Sequence, residues 1–298
     1  MRGAHEQPRE NGRAGLALGA LVACAVAWCG SPAAAAARHE ARETHAKAAG
    51  EDFHWSWHIA AGKAIEIKGV NGDIHARTAS GGDVEVTATK HARRSDPTQV
   101  RIEVIEHEGG VTVCAVYPGG RWGKPNECEV GARNHSHVDD NDVVVDFEVR
   151  VPVGVSFVGR TVNGGIEAEG LHGPVEANTV NGSIGLSTGG TARASTVNGS
   201  IVAALGSASW KGNLGFSTVN GGIELDFPPG LSTEVHAETL NGEIISDFPM
   251  TVGDDHVSRR SGIRVRLNRR RISGTVGSGG GGLSLSTVNG DIRLSSSQ

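Results

Sequence analysis

The sequence has 298 residues, which is enough for one large domain or two modest ones. Aromatic residues make up only 4% of the chain and 44 residues are glycine, so any core must be thin and built from aliphatic side chains. The formal net charge of −5 excludes the overall basic excess with which many proteins bind nucleic acid, and we expect no nucleic-acid partner.

The first predicted element is a signal peptide over residues 1–37. Arginines lie among its first 13 residues, the apolar run AGLALGALVACAVAWC follows at 14–29, and small residues offer a cleavage site near Ala35–Ala37. The apolar run is too short for a membrane span, so we expect no transmembrane helix in the mature chain. The predicted location is therefore outside the cytoplasm, either periplasmic or secreted.

A cysteine inside the apolar run leaves a second location open. The motif LVAC at 21–24 resembles a bacterial lipobox, in which Cys24 would carry a lipid anchor and the protein would be an outer-membrane lipoprotein. Against this, the chain stays apolar for about a dozen residues after Cys24, whereas a lipoprotein normally continues into a polar tether. The polar segment 38–50 is predicted to be a tether between the cleavage site and the folded part.

Residues 51–157 are predicted to form a non-repeat β region, because Val and Ile alternate with polar residues along several short segments. The mature chain keeps two cysteines, Cys114 and Cys128, in this region. In an oxidising compartment such a pair predicts a disulfide. A metal pair or a catalytic thiol are the alternatives.

The segment NHSHVDDND at 134–142 holds the candidate metal ligands of the chain. Alternate histidines on an extended segment can bind Zn²⁺ from one side, and carboxylates suit a harder ion. The alternative is a solvated polar loop before the next strand. The candidates are His135, His137, Asp139, Asp140 and Asp142.

From residue 158 to 298 the chain is predicted to be a β-solenoid, in which repeats of about 17–22 residues stack on one another. The six-residue phrase TVNGSI occurs at 179–184 and again at 196–201, and close copies recur along the chain. Each phrase contains an Asn-Gly pair, which predicts a bend with positive φ. These predicted corners are Asn71, Gly72, Asn163, Gly164, Asn181, Gly182, Asn198, Gly199, Asn220, Gly221, Asn241, Gly242, Asn289 and Gly290.

Two architectures can use such a bend, a hairpin meander or a stack of bent repeats. A hairpin would place Val180 and Ile184 on opposite faces of the sheet. A stack lets both point inward, which we favour, and it would place each Asn on the next in a ladder of amides. The Thr before each Val is then expected on the outer face. The longer gap between Asn241 and Asn289 is expected to hide one or two degenerate repeats.

A basic cluster, RRSGIRVRLNRRR at 259–271, lies in this longer gap. It is a candidate contact for an anionic partner such as envelope polysaccharide or a lipid headgroup. The alternative is a pair of polar strands with outward arginines. The arginines are Arg259, Arg260, Arg264, Arg266, Arg269, Arg270 and Arg271.

The chain resembles the bacterial putative-adhesin, β-strand-repeat family. The resemblance rests on GKAIEIKGVNGDIHA at 62–76, on the segment 149–184 and on the glycine-rich ending ISGTVGSGGGGLSLSTVNGDIRL at 272–294. It implies a β-solenoid-like fold outside the cytoplasm and brings no catalytic residues and no cofactor.

These patterns predict a non-enzymatic extracytoplasmic protein, either an adhesin-like binder of envelope polysaccharide or another surface ligand, or a structural scaffold of the envelope. One alternative is a carbohydrate-active β-helix enzyme, which would need paired carboxylates or a metal with a base. The residues after each Asn-Gly pair are a scatter of Gly, Ser, Glu and Asp without a clustered acid pair. The other alternative is an envelope-stress or regulatory factor.

Overall fold

The structure, a computed structural model, describes residues 43–44, 52–119, 125–131, 141–252, 265–267 and 271–297. The predicted signal peptide and Cys24 lie outside the described residues, as does the predicted tether apart from residues 43–44. Residues Ala41–Gln298 form one compact unit.

The described residues are all-β apart from one turn of 3₁₀ helix, Pro97–Gln99, which Asp96 caps by accepting a hydrogen bond from the Thr98 amide. The strands are short and rich in Val and Ile, as expected for a β fold. They are β1 Glu43–Thr44, β2 Phe53–Trp57, β3 Ala64–Lys68, β4 Ile74–Thr78, β5 Val84–His91, β6 Arg101–His107, β7 Gly110–Val116, β8 Val144–Val151, β9 Ser156–Arg160, β10 Ile166–Leu171, β11 Val175–Asn178, β12 Ile184–Thr188, β13 Ala192–Ser195, β14 Ile201–Leu205, β15 Asn213–Ser217, β16 Ile223–Phe227, β17 Thr233–Asn241, β18 Ile244–Ser246, β19 Met250–Val252, β20 Val265–Leu267, β21 Arg271–Val276, β22 Gly282–Asn289 and β23 Ile292–Ser296.

The strands form two large mixed sheets. The first has the order β1-β6-β7-β3-β9-β11-β13-β15-β22-β17-β21-β19, and the second has the order β2-β5-β8-β4-β10-β12-β14-β16-β23-β18-β20. One continuous hydrophobic cluster draws buried side chains from both sheets, among them Ile65 of the first and Ile74 of the second. Because the chain alternates between the sheets, each Asn-Gly pair joins a strand-end in one sheet to a strand in the other.

Neighbouring repeats pair in parallel and in register. Ile184 of β12 lies opposite Ile166 of β10 on one side and opposite Ile201 of β14 on the other. The ladder of isoleucines continues through Ile223 and Ile292, and all of these side chains are buried. Parallel pairing between repeats excludes a two-residue hairpin at these Asn-Gly pairs, since a hairpin pairs its strands antiparallel.

The two sheets run without a break through the position where the repeats begin in the sequence. Strand β9 pairs in parallel with β3, and β10 pairs in parallel with β4. The division predicted between residues 157 and 158 therefore falls inside β9, and the Asn71 repeat belongs to the same stack as the later repeats.

The C-terminal end of the stack departs from chain order. Strand β22 pairs in parallel with both β15 and β17, so the last repeat of the chain lies between two earlier ones. Strands β21 and β20 then pair antiparallel with β17 and β18. Strands β20 and β21 of the long gap therefore do not form the degenerate repeats that were expected there; they form an antiparallel end to the stack.

Candidate functional site

The Thr and Val of the repeat phrase take the opposite positions to those expected: Thr points inward and Val lies at the surface. Thr179 is buried with 6% of its surface exposed, whereas Val180 beside it is 39% exposed. Ile184 is buried as predicted. The same arrangement holds for the buried threonines Thr161, Thr196, Thr218, Thr239 and Thr287 and for the exposed residues Val197, Val219, Leu240 and Val288.

The inward threonine is explained by a hydrogen bond between neighbouring repeats. Thr179 Oγ1 donates to the carbonyl oxygen of Gly164 over 2.8 Å. A valine in its place would bury its methyl groups but leave this carbonyl without the hydroxyl donor. The bond recurs at Thr161–Gly72, Thr196–Gly182, Thr218–Gly199, Thr287–Gly221 and Thr239–Gly290.

The glycine of each pair is required by close packing and not, in general, by a positive φ. Among the seven repeat glycines only Gly72 has a positive φ, of 125°, so the predicted positive φ is wrong for the other six. A Cβ on Gly182 would lie 1.9 Å from the Gly164 carbonyl oxygen. Such a contact is far inside van der Waals distance, so each glycine lets its repeat approach the next.

The asparagines form a continuous ladder of side-chain amides, which we call the amide ladder. In spatial order it consists of Asn71, Asn163, Asn181, Asn198, Asn220, Asn289 and Asn241. From the second asparagine onward, each Nδ2 donates to the Oδ1 of the preceding one over 2.8 Å. An amide has two donor hydrogens and two acceptor lone pairs on its oxygen. In the interior of the ladder each side chain therefore keeps one donor and one acceptor position for a ligand at its exposed edge.

Beside the amide ladder runs a row of exposed aliphatic residues, which we call the aliphatic stripe. It consists of Val180, Val197, Val219, Val288 and Leu240, with exposed fractions from 36% to 51%. Parallel strands in a sheet are about 4.8 Å apart, so both rows repeat at that spacing along the stack. Together they form a periodic surface without formal charge.

The residues after the glycines form a further ladder that joins side chains to backbone amides. Ser183 Oγ accepts from the Ser200 amide, and Asp291 Oδ1 accepts from the Glu243 amide. The stack thus places the Asp291 and Glu243 positions in adjacent repeats, although they are 48 residues apart in the chain. The sequence did not indicate this adjacency, because chain order does not give the order of the repeats.

The two cysteines of the β region form the predicted disulfide, Cys114–Cys128, with their Cα atoms 5.7 Å apart. It holds the segment around Glu129 over the outer face of the first sheet. There Lys68 Nζ donates to the Glu129 carbonyl. Burial lowers the pKa of Lys68, and the nearby Glu66 carboxylate partly offsets this effect.

Glu66 joins this covered region to the repeats. Its side chain is buried, accepts a hydrogen bond from Thr112 Oγ1 and lies 2.9 Å from Arg160 Nε. Arg160 also contacts Glu176 of the next strand, over 2.7 Å. A buried carboxylate of this kind is tolerated because it is paired and hydrogen-bonded, so the region is a structural ion-pair network.

Of the candidate metal ligands, only Asp142 lies within the described residues. Its two carboxylate oxygens accept hydrogen bonds from the backbone amides of Ser95 and Arg94, and the Ser95 bonds in particular lower its pKa to about 2. Within the described ranges no group of three or more His, Cys, Asp or Glu side chains could hold a metal ion. The other candidates, His135, His137, Asp139 and Asp140, lie outside them.

The basic cluster is described only in part. Arg271 is 2.6 Å from Glu238 Oε1 in an exposed ion pair, so one of its hydrogen-bonding groups is engaged within the chain. Arg266 belongs to β20. The remaining candidates, Arg259, Arg260, Arg264, Arg269 and Arg270, lie outside the described residues.

One open groove of about 760 Å³ lies on the outer face of the first sheet. It is lined by polar residues that include Glu234, His236 and Ser273, and His236 Nδ1 is 2.8 Å from Ser273 Oγ. The groove therefore brings a carboxylate, an imidazole and a hydroxyl into one open, polar lining. Among all the residues that the structure describes, no helix has the length and hydropathy that a membrane span requires.

No protein-family model and no curated protein matches the chain. Among solved structures, a "putative cell adhesion protein" from Clostridium sporogenes is similar over 83% of this chain and 100% of that one, with 7% identity and a TM-score of 0.43. A "putative adhesin" from Bacteroides fragilis is similar over 83% of this chain and 98% of that one, with 14% identity and a TM-score of 0.34. These neighbours carry names of the class that the sequence resembles.

Proposed function

We propose that this chain is a non-enzymatic β-solenoid scaffold of the bacterial envelope, located outside the cytoplasm after removal of a signal peptide. Its adhesin-like role would be to bind a surface ligand, envelope polysaccharide in the first place, along the amide ladder and the aliphatic stripe. In this proposal the Asn-Gly pairs are structural corners that build the binding face, and no cofactor takes part.

The observation that carries the proposal is the periodic, uncharged face itself. Amide groups with unused donor and acceptor positions lie beside exposed aliphatic side chains in repeat after repeat. A polymer of similar sugar units could make the same small contact many times, and linked weak contacts add up to high avidity. Contiguous exposed apolar surface on a folded protein is also typical of an interaction site.

A matched pair of valine variants tests this face. Val197 belongs to the aliphatic stripe, whereas Val202 is 48% exposed on the outer face of β14. We expect Val197→Ser to weaken binding to the glycans that the purified chain retains on a glycan and matrix-protein array, and Val202→Ser to leave it unchanged. Equal loss in both variants, or no retained ligand at all, would contradict the proposed binding face.

The enzyme alternative is tested on the same material. A hydrolase and lyase screen over polysaccharides is expected to show no turnover. Turnover that is lost in Glu234→Gln or His236→Ala would contradict the non-enzymatic proposal and assign the activity to the groove of the first sheet.

Cell fractionation tests the proposed location. The chain is expected in the periplasmic or secreted fraction, with the signal segment removed from its N-terminus. Release from the membrane fraction on Cys24→Ala would instead support the outer-membrane lipoprotein.

A further inference from the structure

Asn-Gly is a reactive pair as well as a structural one. The backbone nitrogen of the glycine can attack the side-chain carbonyl carbon of the asparagine, because glycine has no side chain to obstruct the approach. The attack requires a glycine amide that is free to leave its hydrogen bond and turn toward the asparagine. Whether a given pair reacts is therefore decided by what holds that amide in the folded chain.

In six of the seven repeats the glycine amide is held by the next repeat. Gly182 N–H donates to the Asn198 carbonyl over 2.9 Å, and Gly199 N–H donates to the Asn220 carbonyl over 3.0 Å. The same bond joins Gly72 to Asn163, Gly164 to Asn181, Gly221 to Asn289 and Gly290 to Asn241.

The pair Asn241–Gly242 lies at the end of the amide ladder and lacks this restraint. Within the described part of the chain, the Gly242 amide donates to no acceptor. Gly242 is exposed, whereas the other six repeat glycines are buried or half-buried. The Asn241 side chain donates to Asn289 Oδ1, but no ladder asparagine donates to its own oxygen.

We propose that Asn241–Gly242 is a site of spontaneous deamidation and that the stack protects the other six pairs. The Gly242 nitrogen bonds to Cγ of Asn241 and loses its proton, while the C–Nδ2 bond breaks and the side-chain nitrogen leaves as ammonia. Water then opens the resulting succinimide at either carbonyl and yields aspartate or isoaspartate. The step involves no oxidation or reduction.

The product would alter the end of the amide ladder. Deamidation removes the Nδ2 donor that holds Asn241 to Asn289, and it adds a carboxylate near the Asp291 and Glu243 positions. Isoaspartate also adds one backbone carbon between β17 and β18, which pair in register with β22 and β23. The modification would therefore loosen the terminal repeat while the interior of the stack stays intact.

Peptide mapping by mass spectrometry of the native full chain, incubated in mildly alkaline buffer, tests the proposal. We expect deamidation of Asn241 to be at least about tenfold faster than that of Asn181 or Asn198, which corresponds to about 1.4 kcal/mol of extra restraint at the interior pairs. In urea the seven repeat pairs are expected to react at similar rates. Uniform reaction in the native chain, or an unreactive Asn241 beside reactive interior pairs, would overturn the proposal.

Hydrogen exchange and one variant make the test independent of how fast the reaction is. The Gly242 amide is expected to exchange at least about tenfold faster than the Gly182 and Gly199 amides. Asn241→Gln is expected to abolish the native-state deamidation of the repeats, since a longer side chain forms the corresponding ring poorly. A protected Gly242 amide, or native-state deamidation that persists at other repeats in the variant, would contradict the assignment.

Discussion

Thr196 Oγ1 lies 2.8 Å from the carbonyl oxygen of Gly182, and these two residues belong to neighbouring repeats. The contact shows that the side chains of the recurring phrase form hydrogen bonds to the neighbouring repeat and not across their own turn. Threonine supplies a hydroxyl to the neighbouring glycine carbonyl, asparagine supplies the ladder, and glycine permits the close approach. Valine has no such partner and is left at the surface.

Replacing the buried threonine by valine tests the worth of this contact. Thr196→Val keeps the shape of the side chain but leaves the Gly182 carbonyl without its hydroxyl donor, so we expect the free energy of unfolding to fall by about 1 kcal/mol. Urea denaturation measures the change. Thr196→Ser, which keeps the hydroxyl, should recover part of the loss. A valine variant as stable as the parent would show that the burial of Thr196 has another cause.

Alanine substitutions at two glycines three residues apart can distinguish the effect of close packing on stability from the effect of strand propensity. A Cβ on Gly182 would lie 1.9 Å from a neighbouring backbone oxygen, whereas one on Gly185 would meet nothing closer than 3.9 Å. We expect Gly182→Ala to lower the free energy of unfolding by about 3 kcal/mol. Gly185→Ala should leave it unchanged or raise it, because alanine costs less conformational entropy in a strand than glycine. Equal effects in denaturant titrations would argue against the close approach of the repeats.

The sequence was sufficient for several features of this fold. Period-two alternation predicted the all-β class, the recurrence of Asn-Gly predicted an amide ladder, and the inward position of Ile184 followed from its place in the strand. The inward position of Thr179 could not be predicted from hydrophobicity, which ranks Val180 above it. It depends on a carbonyl in the neighbouring repeat, and no single repeat contains that information.

The order of the repeats was also beyond the sequence. The C-terminal repeat lies between two earlier ones, so the adjacency of the Asp291 and Glu243 positions could not be inferred from their separation along the chain. Because the repeats share nearly identical phrases, their local conformational preferences are similar for any spatial order of the repeats. The observed order depends on tertiary contacts, among them those of the antiparallel strands that end the stack.

Removal of the disulfide should weaken the cover over the first sheet. Cys114 and Cys128 are 14 residues apart, and closing a loop of that size is worth about 3 kcal/mol in the chain-entropy model. We expect the double variant Cys114→Ala, Cys128→Ala to lose about that much stability in urea. Lys68, which is 5% exposed in the parent, should then become reactive toward an amine-labelling reagent. If Lys68 stayed unreactive in a folded variant, contacts other than the disulfide would hold the segment in place.

Asp142 should make the chain less stable in acid. Its carboxylate accepts hydrogen bonds from the Ser95 and Arg94 amides, which lower its pKa to about 2 from an ordinary value of 3.8. A carboxyl group whose pKa is lowered in the folded state contributes its full stabilisation at pH values above its ordinary pKa. It loses that stabilisation as the pH falls through its folded-state pKa. Thermal unfolding of the parent and of Asp142→Asn should therefore differ at neutral pH, with the parent more stable. That difference should shrink as the pH falls from 3.8 to about 2, where the parent carboxyl becomes protonated. Comparing the two proteins at each pH removes the effect of all other acidic groups, so a constant difference would show that the Asp142 charge does not stabilise this loop.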